Sequence, residues 1–161
     1  MSEVAIRGIR PADDPIVERV LIQVLAEFGA TGAGFSDQDE ELAAMSSAYA
    51  DPRAAYFVAE SGGEILGGAG VGPLPQAQPH VCELRKMYLL PAARGRGVGH
   101  RLLEACVQAA REIGYTECYL ETLAQMDRAR DLYERFGFLP LEAPMGHTGH
   151  YGCNRWYALS L

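Results

Sequence analysis

Residues 81–91 read Val81-Cys82-Glu83-Leu84-Arg85-Lys86-Met87-Tyr88-Leu89-Leu90-Pro91, and after two alanines come Arg94-Gly95-Arg96-Gly97-Val98-Gly99-His100. Beyond them Val98, Leu102, Cys106, Ala109 and Ile113 recur on one helical face, with Gly114 past the end. The first run predicts a strand stopped by proline, the alternating glycines a tight turn, and the helical spacing an amphipathic helix ended by glycine. A helix N-terminus leaves backbone N–H groups unpaired and carries partial positive charge, so this order of elements makes a phosphate site. Gly95, Gly97 and Gly99 let a ligand come close to the backbone there.

On either side the pattern alternates between the two periods. Residues 4–10 predict a first strand. Asp14 before Pro15 opens a helix with Val17, Val20, Leu21, Val24, Leu25 and Phe28 on one face, ended by Gly29. Ser36 and Asp39 have capping-box spacing, which predicts a second helix running to Tyr49. Strands are expected at 55–60 and 64–71 around the turn Ser61-Gly62-Gly63; the glycines Gly67, Gly68, Gly70 and Gly72 in the latter suggest close backbone approach or a bulge. After the central helix come a strand at 119–122, a helix carrying Ala129, Leu132, Tyr133 and Phe136, and strands at 138–141 and 156–161. The 13 residues 142–154 form a polar, glycine-rich loop, long enough to suggest a function of its own.

A chain of 161 residues fits one domain, 1–161, with 48% hydrophobic and 22% charged residues giving it an ordinary globular composition. It has no apolar run of membrane-spanning length, and its start lacks a basic, apolar leader, so a cytosolic, membrane-free protein is expected. Cys82, Cys106, Cys118 and Cys153 form no C-x-x-C pair, which fits reduced thiols rather than a zinc or redox site. The net charge of −7 excludes non-specific nucleic-acid binding. The charge is uneven, however. Arg85, Lys86, Arg94, Arg96 and Arg101 make that window +5 against −12 elsewhere, which suits a small anionic ligand.

Two familiar phosphate motifs fail. A P-loop needs Lys-Ser or Lys-Thr, and the sole lysine is Lys86 before Met87; a dinucleotide fingerprint needs a third glycine where His100 stands. R-x-x-G-x-G does match, as Arg94, Gly97 and Gly99. With Glu83 to Pro91 upstream and Ala129-x-x-Leu132-Tyr133-Glu134-x-x-Gly137-Phe138 downstream, the chain resembles the GNAT superfamily of acetyl-CoA-dependent N-acetyltransferases. The resemblance implies an α+β, α/β/α layered fold: a mixed, mostly antiparallel sheet of six or seven strands flanked by about four helices. It implies an acyltransferase moving acetyl from acetyl-CoA, the acyl-donor cosubstrate, to a primary amine, most simply on a small molecule, by direct attack in a ternary complex. Transfer of a longer acyl group, or a CoA-binding regulatory module without turnover, are the alternatives. Dimers are common among such enzymes, so a homodimer is compatible.

Residue by residue, the resemblance places Met87, Tyr88 and Leu89 against the thioester and pantetheine, and Arg94, Gly95, Arg96, Gly97, Val98, Gly99 and His100 around the pyrophosphate. Tyr133 falls where a tyrosine protonates the leaving thiolate, and Glu83 where a carboxylate serves as general base. Each has a plainer reading, Tyr133 as a core aromatic and Glu83 as an ion-pair partner of Arg85 or Lys86. Glu121, on the strand across the opening, is the rival base, and the two carboxylates could share one site. Met126 stands where many relatives carry a cofactor-contacting asparagine. His147, His150 and Cys153 have no partner motif, so a substrate-facing loop is expected there and no metal. His80 with Cys82, and Trp156 with Tyr157, read as strand packing.

Overall fold

The structure, a computed structural model, describes residues 3–161. Seven strands, β1 (Val4–Gly8), β2 (Ala55–Ser61), β3 (Glu64–Pro73), β4 (Val81–Leu89), β5 (Glu117–Thr122), β6 (Leu139–Leu141) and β7 (Arg155–Ser160), form one sheet in the order β1-β2-β3-β4-β5-β7-β6. Every neighbouring pair is antiparallel except β4 and β5, which run parallel. The helices are α1 (Asp14–Glu27), α2 (Met45–Ala48), α3 (Val98–Ile113) and α4 (Asp127–Phe136). The expected layered, mostly antiparallel architecture is what forms. No described helix is long and apolar enough to cross a membrane.

Period-2 alternation sorts the sheet's side chains into two cores. Tyr56, Val58 and Ile65 pack with Val17, Leu21, Met45 and Tyr49 from α1 and α2. Ala59, Ala69, Val71, Cys82 and Leu84 face the other way, onto Leu102, Leu103, Cys106 and Val107 of α3 and Tyr133 of α4. Cys82, Cys106 and Cys118 are buried free thiols in that second core, as expected for small core residues.

The glycines of β3 do mark a close approach. The Tyr56 ring lies flat against Gly68 and Gly70, and its hydroxyl donates to the Lys86 carbonyl at 2.8 Å. Opposite these glycines the β3–β4 register slips between Gly68 and Gly70, so β4 carries one extra residue. Lys86, within this bulge, has a φ of +47°, a conformation that costs a residue with a Cβ.

One expected element is broken up. In place of a single helix from Ser36 to Tyr49 there are two short 3-10 segments, Ser36–Gln38 and Glu40–Ala43, followed by the four-residue α2. Asp39 is extended (φ −70°, ψ 129°) and caps nothing, because its carboxylate is bonded to Lys86 and His150, 47 and 111 residues away. The capping-box spacing was therefore overridden by long-range ion pairs.

A Cβ at Gly68 would lie 2.6 Å from the Tyr56 ring and 2.8 Å from the Phe57 carbonyl, whereas one at Gly8 would meet nothing within 4 Å. Gly68→Ala is expected to cost about 1–3 kcal/mol through overpacking, lowering the melting temperature by several degrees, with Gly8→Ala close to wild type. Equal melting temperatures for the two variants would contradict this account of β3.

Candidate active site

Strands β4 and β5 pair only over Val81–Glu83, against Glu117–Tyr119, and then part. Past that point β4 keeps β3 on one side and has no strand on the other. The opening becomes a cleft of about 1040 Å³ running along α3 and α4. Met87, Tyr88, Leu89, Arg94, Gly95, Gly97, Val98, Gly99 and His100 all line it; of the residues expected around the cofactor, Arg96 alone does not. The Arg96 guanidinium reaches instead to the Ala92 carbonyl at 3.4 Å.

The glycine turn works through its backbone. Gly95 and Gly97 have φ of +73° and +75°, and Gly97 is the residue that starts α3. The first backbone bond of the helix runs from Arg101 N–H to Gly97 O at 3.2 Å, so the amides of Val98, Gly99 and His100, three residues that line the cleft, precede the ladder. A Cβ at Gly99 would stand 3.1 Å from Leu132 and 3.4 Å from Leu89, which lets α3 pack closely against α4 and β4.

The basic window is less free than its sequence suggests. Arg94 spends Nε and Nη2 on the Leu89 carbonyl at 3.1 and 2.9 Å, pairs with Glu27 at 2.7 Å and lies over the Phe28 ring. Arg85 donates to Glu83 at 2.9 Å, and Lys86 is bound by Asp39 at 2.7 Å and by Glu41. Arg101 donates to the Val4 carbonyl at 2.6 Å. The attraction for an anion in this cleft rests mainly on backbone amides and the start of α3.

A second, narrow pocket of about 40 Å³ opens beyond the cleft, with Glu121, Cys153 and Phe35 in its wall. The two share Met87, Tyr88, Met126 and Tyr133, so they meet at these four side chains. Tyr133 is 5% exposed, its ring set among Phe138 and Tyr157. Its hydroxyl makes no hydrogen bond among the described residues. Burial, with Tyr88 and nearby thiols adding to it, holds the Tyr133 proton on well above the usual phenol range. Met126, in the place of the expected asparagine, is buried and accepts a 3.6 Å contact from the Thr122 hydroxyl.

Glu83, Glu121 and His150 converge beside this pocket, with one ligand atom of each within 4.8 Å of the others. Glu83 is 5% exposed. Burial raises its pKa above the ordinary carboxylate value, and the Arg85 guanidinium only partly offsets that. Glu121 accepts the Tyr119 hydroxyl at 2.6 Å and the Thr148 hydroxyl, and its Oε1 lies 4.0 Å from His150 Nδ1. His150 bonds both Asp39 oxygens through Nε2, at 3.0 and 2.9 Å. Burial alone would lower the His150 pKa, but that hydrogen bond and the charges of Asp39 and Glu83 outweigh burial and raise it. His147 contributes only its backbone, to the Pro75 carbonyl. Burial and three neighbouring carboxylates push the Cys153 thiol up to about 12, so it stays protonated at neutral pH.

The sequence had therefore pointed to Glu83, Glu121 and Tyr133, but not to Asp39 or to the burial of Lys86, whose side chain is only 2% exposed. The available signal for the latter was the sole lysine of the chain, placed inside a strand just before the apolar run 87–90.

With this geometry in view, the comparison with known proteins is direct: residues 22–138 match the family model of the acetyltransferase (GNAT) family. The chain belongs to the GNAT family. It is 41% identical over 148 residues to the N-acetyltransferase YjgM of Escherichia coli K12, covering 91% of this chain and 89% of that one. A GNAT-family acetyltransferase from Staphylococcus aureus Mu50 superposes with a TM-score of 0.87 at 18% identity, over 98% and 99% of the two chains. The acetyltransferase yncA of Salmonella typhimurium, solved with acetyl-CoA, gives 0.79 at 19% identity, over 98% and 93%. The GNAT chain described here is thus an acyltransferase of the N-acetyltransferase kind.

The raised His150 pKa has a stability consequence with a definite sign. Its protonated form is stabilised by Asp39, so that contribution is complete below the unfolded value of about 6.5 and is lost as pH rises through the higher folded value. Asp39→Asn should therefore lower the melting temperature most near pH 6. The difference from wild type should narrow toward pH 9 without vanishing, since Lys86 also loses a partner. A pH-independent difference would contradict the pairing.

Proposed function

We propose that this GNAT chain transfers acetyl from acetyl-CoA to the primary amine of a small molecule, by direct attack in a ternary complex. The observation that carries the reading is the Tyr133 hydroxyl, without a hydrogen bond among the described residues, on a ring that lines both the large cleft and the narrow pocket beside Glu121 and Glu83. The donor supplies a thioester carbonyl carbon as electrophile. Val98, Gly99 and His100 amides suit its pyrophosphate, and the free edge of β4 at Met87–Leu89 offers backbone N–H to the acyl oxygen, where charge develops. That these cleft-lining amides lie ahead of the helical ladder is what makes the cleft fit the group.

An acceptor arrives as an ammonium and must lose a proton before its nitrogen can attack. Glu83 takes that proton, its raised pKa making it a better base than an exposed carboxylate. Glu121, bonded only by hydroxyls, holds the ammonium beside it. As the carbon–sulfur bond breaks, Tyr133 gives its proton to the departing sulfur. Cys153 near this point is a thiol rather than a thiolate, which favours direct attack over an acyl-cysteine intermediate.

A thermal-shift titration tests the donor half. At about 100 times its dissociation constant acetyl-CoA should add about 2.7 kcal/mol, a rise of several degrees that ATP does not reproduce; no rise at millimolar acetyl-CoA would remove the site.

The chemistry is tested by thiol release with a panel of spermidine, L-lysine, tyramine and a short peptide. Tyr133→Phe should lower kcat by about 100-fold or more while leaving the KM for acetyl-CoA nearly unchanged. Wild-type kcat/KM should climb as pH passes the raised Glu83 pKa, and Glu83→Gln should abolish that climb. Full turnover in either variant would remove the corresponding role.

A further inference from the structure

The reaction above leaves a proton on Glu83, a carboxyl that is only 5% exposed. His150 stands next to it on the 142–154 loop with its side chain 15% exposed. Its Nε2–H is committed to Asp39 at 2.9 Å, so the neutral ring keeps its lone pair on Nδ1. Nδ1 lies 4.0 Å from Glu121 Oε1, and Glu83 belongs to the same cluster, its ligand atom within 4.8 Å of theirs. Thr148 fixes this arrangement, its hydroxyl donating to Glu121 and accepting the His150 backbone N–H at 3.1 Å.

We propose that the Asp39–His150 pair takes the acceptor's proton on from the Glu83–Glu121 carboxylates and passes it to solvent. This rests on the reading of Glu83 as the base. The ammonium N–H bond breaks as an O–H bond forms on Glu83. That O–H bond then breaks as an N–H bond forms on His150 Nδ1, giving an imidazolium held by Asp39. Loss of the Nδ1 proton to water, which reaches a side chain that is 15% exposed, restores the starting state. Charged groups face the ring from three sides: Asp39 from the segment before α2, Glu83 and Lys86 from β4, and Glu121 from β5. Lys86 opposes the imidazolium and the three carboxylates favour it, so the ring accepts a proton readily without holding it permanently. His150 touches neither donor nor acceptor; it is a positioning residue that acts through Glu83.

NMR of the imidazole nitrogens, followed from pH 5 to 9 on the full chain, tests this without an acceptor. The neutral ring should carry its proton on Nε2, and Glu83→Gln and Glu121→Gln should each lower the His150 midpoint by about half a pH unit or more. A neutral ring protonated on Nδ1, or a midpoint that ignores both substitutions, overturns the proposal, because no lone pair would then face the carboxylates. In turnover with the best panel amine, His150→Gly should lose about 10- to 100-fold in kcat at unchanged acetyl-CoA affinity, and added imidazole should restore at least a tenth of the wild-type rate. A folded His150→Gly protein with full kcat, or a loss that imidazole does not repair, also overturns it. Glu83→Gln keeps the two readings apart: full turnover there removes the carboxylate base, whereas an inactive Glu83→Gln beside an imidazole-insensitive His150→Gly removes the relay alone.

Discussion

The three-residue parallel ladder between β4 and β5 is the constraint on which the cleft depends. A parallel pair needs a crossover connection, here α3, and the right-handed twist of the sheet turns the two strands apart once no side chain bridges them. Backbone polar groups past Glu83 are then left without a strand partner on one side, a state that folded chains tolerate only where water or a ligand takes the missing place. The bulge at Lys86 adds to the divergence. Its left-handed backbone conformation is unfavourable for lysine, and the ion pairs to Asp39 and Glu41, together with the Tyr56 bond to the Lys86 carbonyl, keep it in place.

The two halves of the proposed site are built by different means. The donor half comes from one contiguous stretch, the end of β4 through the first turn of α3, and offers mainly backbone groups. Arg94 secures that stretch by gripping the Leu89 carbonyl, five residues back, and Glu27 on α1. The acceptor half is a set of side chains drawn from four separate places: Asp39 and Glu41 before α2, Glu83 to Lys86 in β4, Tyr119 and Glu121 in β5, and Thr148 to Cys153 in the last loop. Their charges are almost matched: Arg85 bonds Glu83, Lys86 is shared by Asp39 and Glu41, and a protonated His150 bonds Asp39. Glu121 has only the His150 ring near it, at 4.0 Å, beside its two hydroxyl donors.

This difference explains what could be read from the chain. The β4–turn–α3 unit was legible because its conformation is written locally, in Pro91, in the left-handed glycines Gly95 and Gly97, and in the apolar spacing of α3. Glu83 and Tyr133 were singled out only by the resemblance of their surroundings to the motifs of a known family. Residues 36–49 were misread as one helix because the decisive partners of Asp39 lie far along the chain, and no local pattern encodes them. The pairing within the basic window was hidden for the same reason: its excess of positive charge is real in the sequence, but Glu27, Asp39 and Glu41 fold back onto it. His150 was visible as one of three polar residues in a long loop, yet nothing near it said that Asp39 would hold one nitrogen and leave the other facing two carboxylates.

The segments that supply Asp39 and His150 are irregular backbone outside the sheet ladders, tied down largely by side-chain and turn hydrogen bonds. Insertions and replacements there disturb neither strand register nor the amides at the start of α3. On the proposed assignment, a duplicated gene is therefore free to exchange these two loops and meet a new acceptor while inheriting its acyl donor unchanged. Chemistry and clientele are separable on this scaffold because one is held by the main chain and the other by side chains.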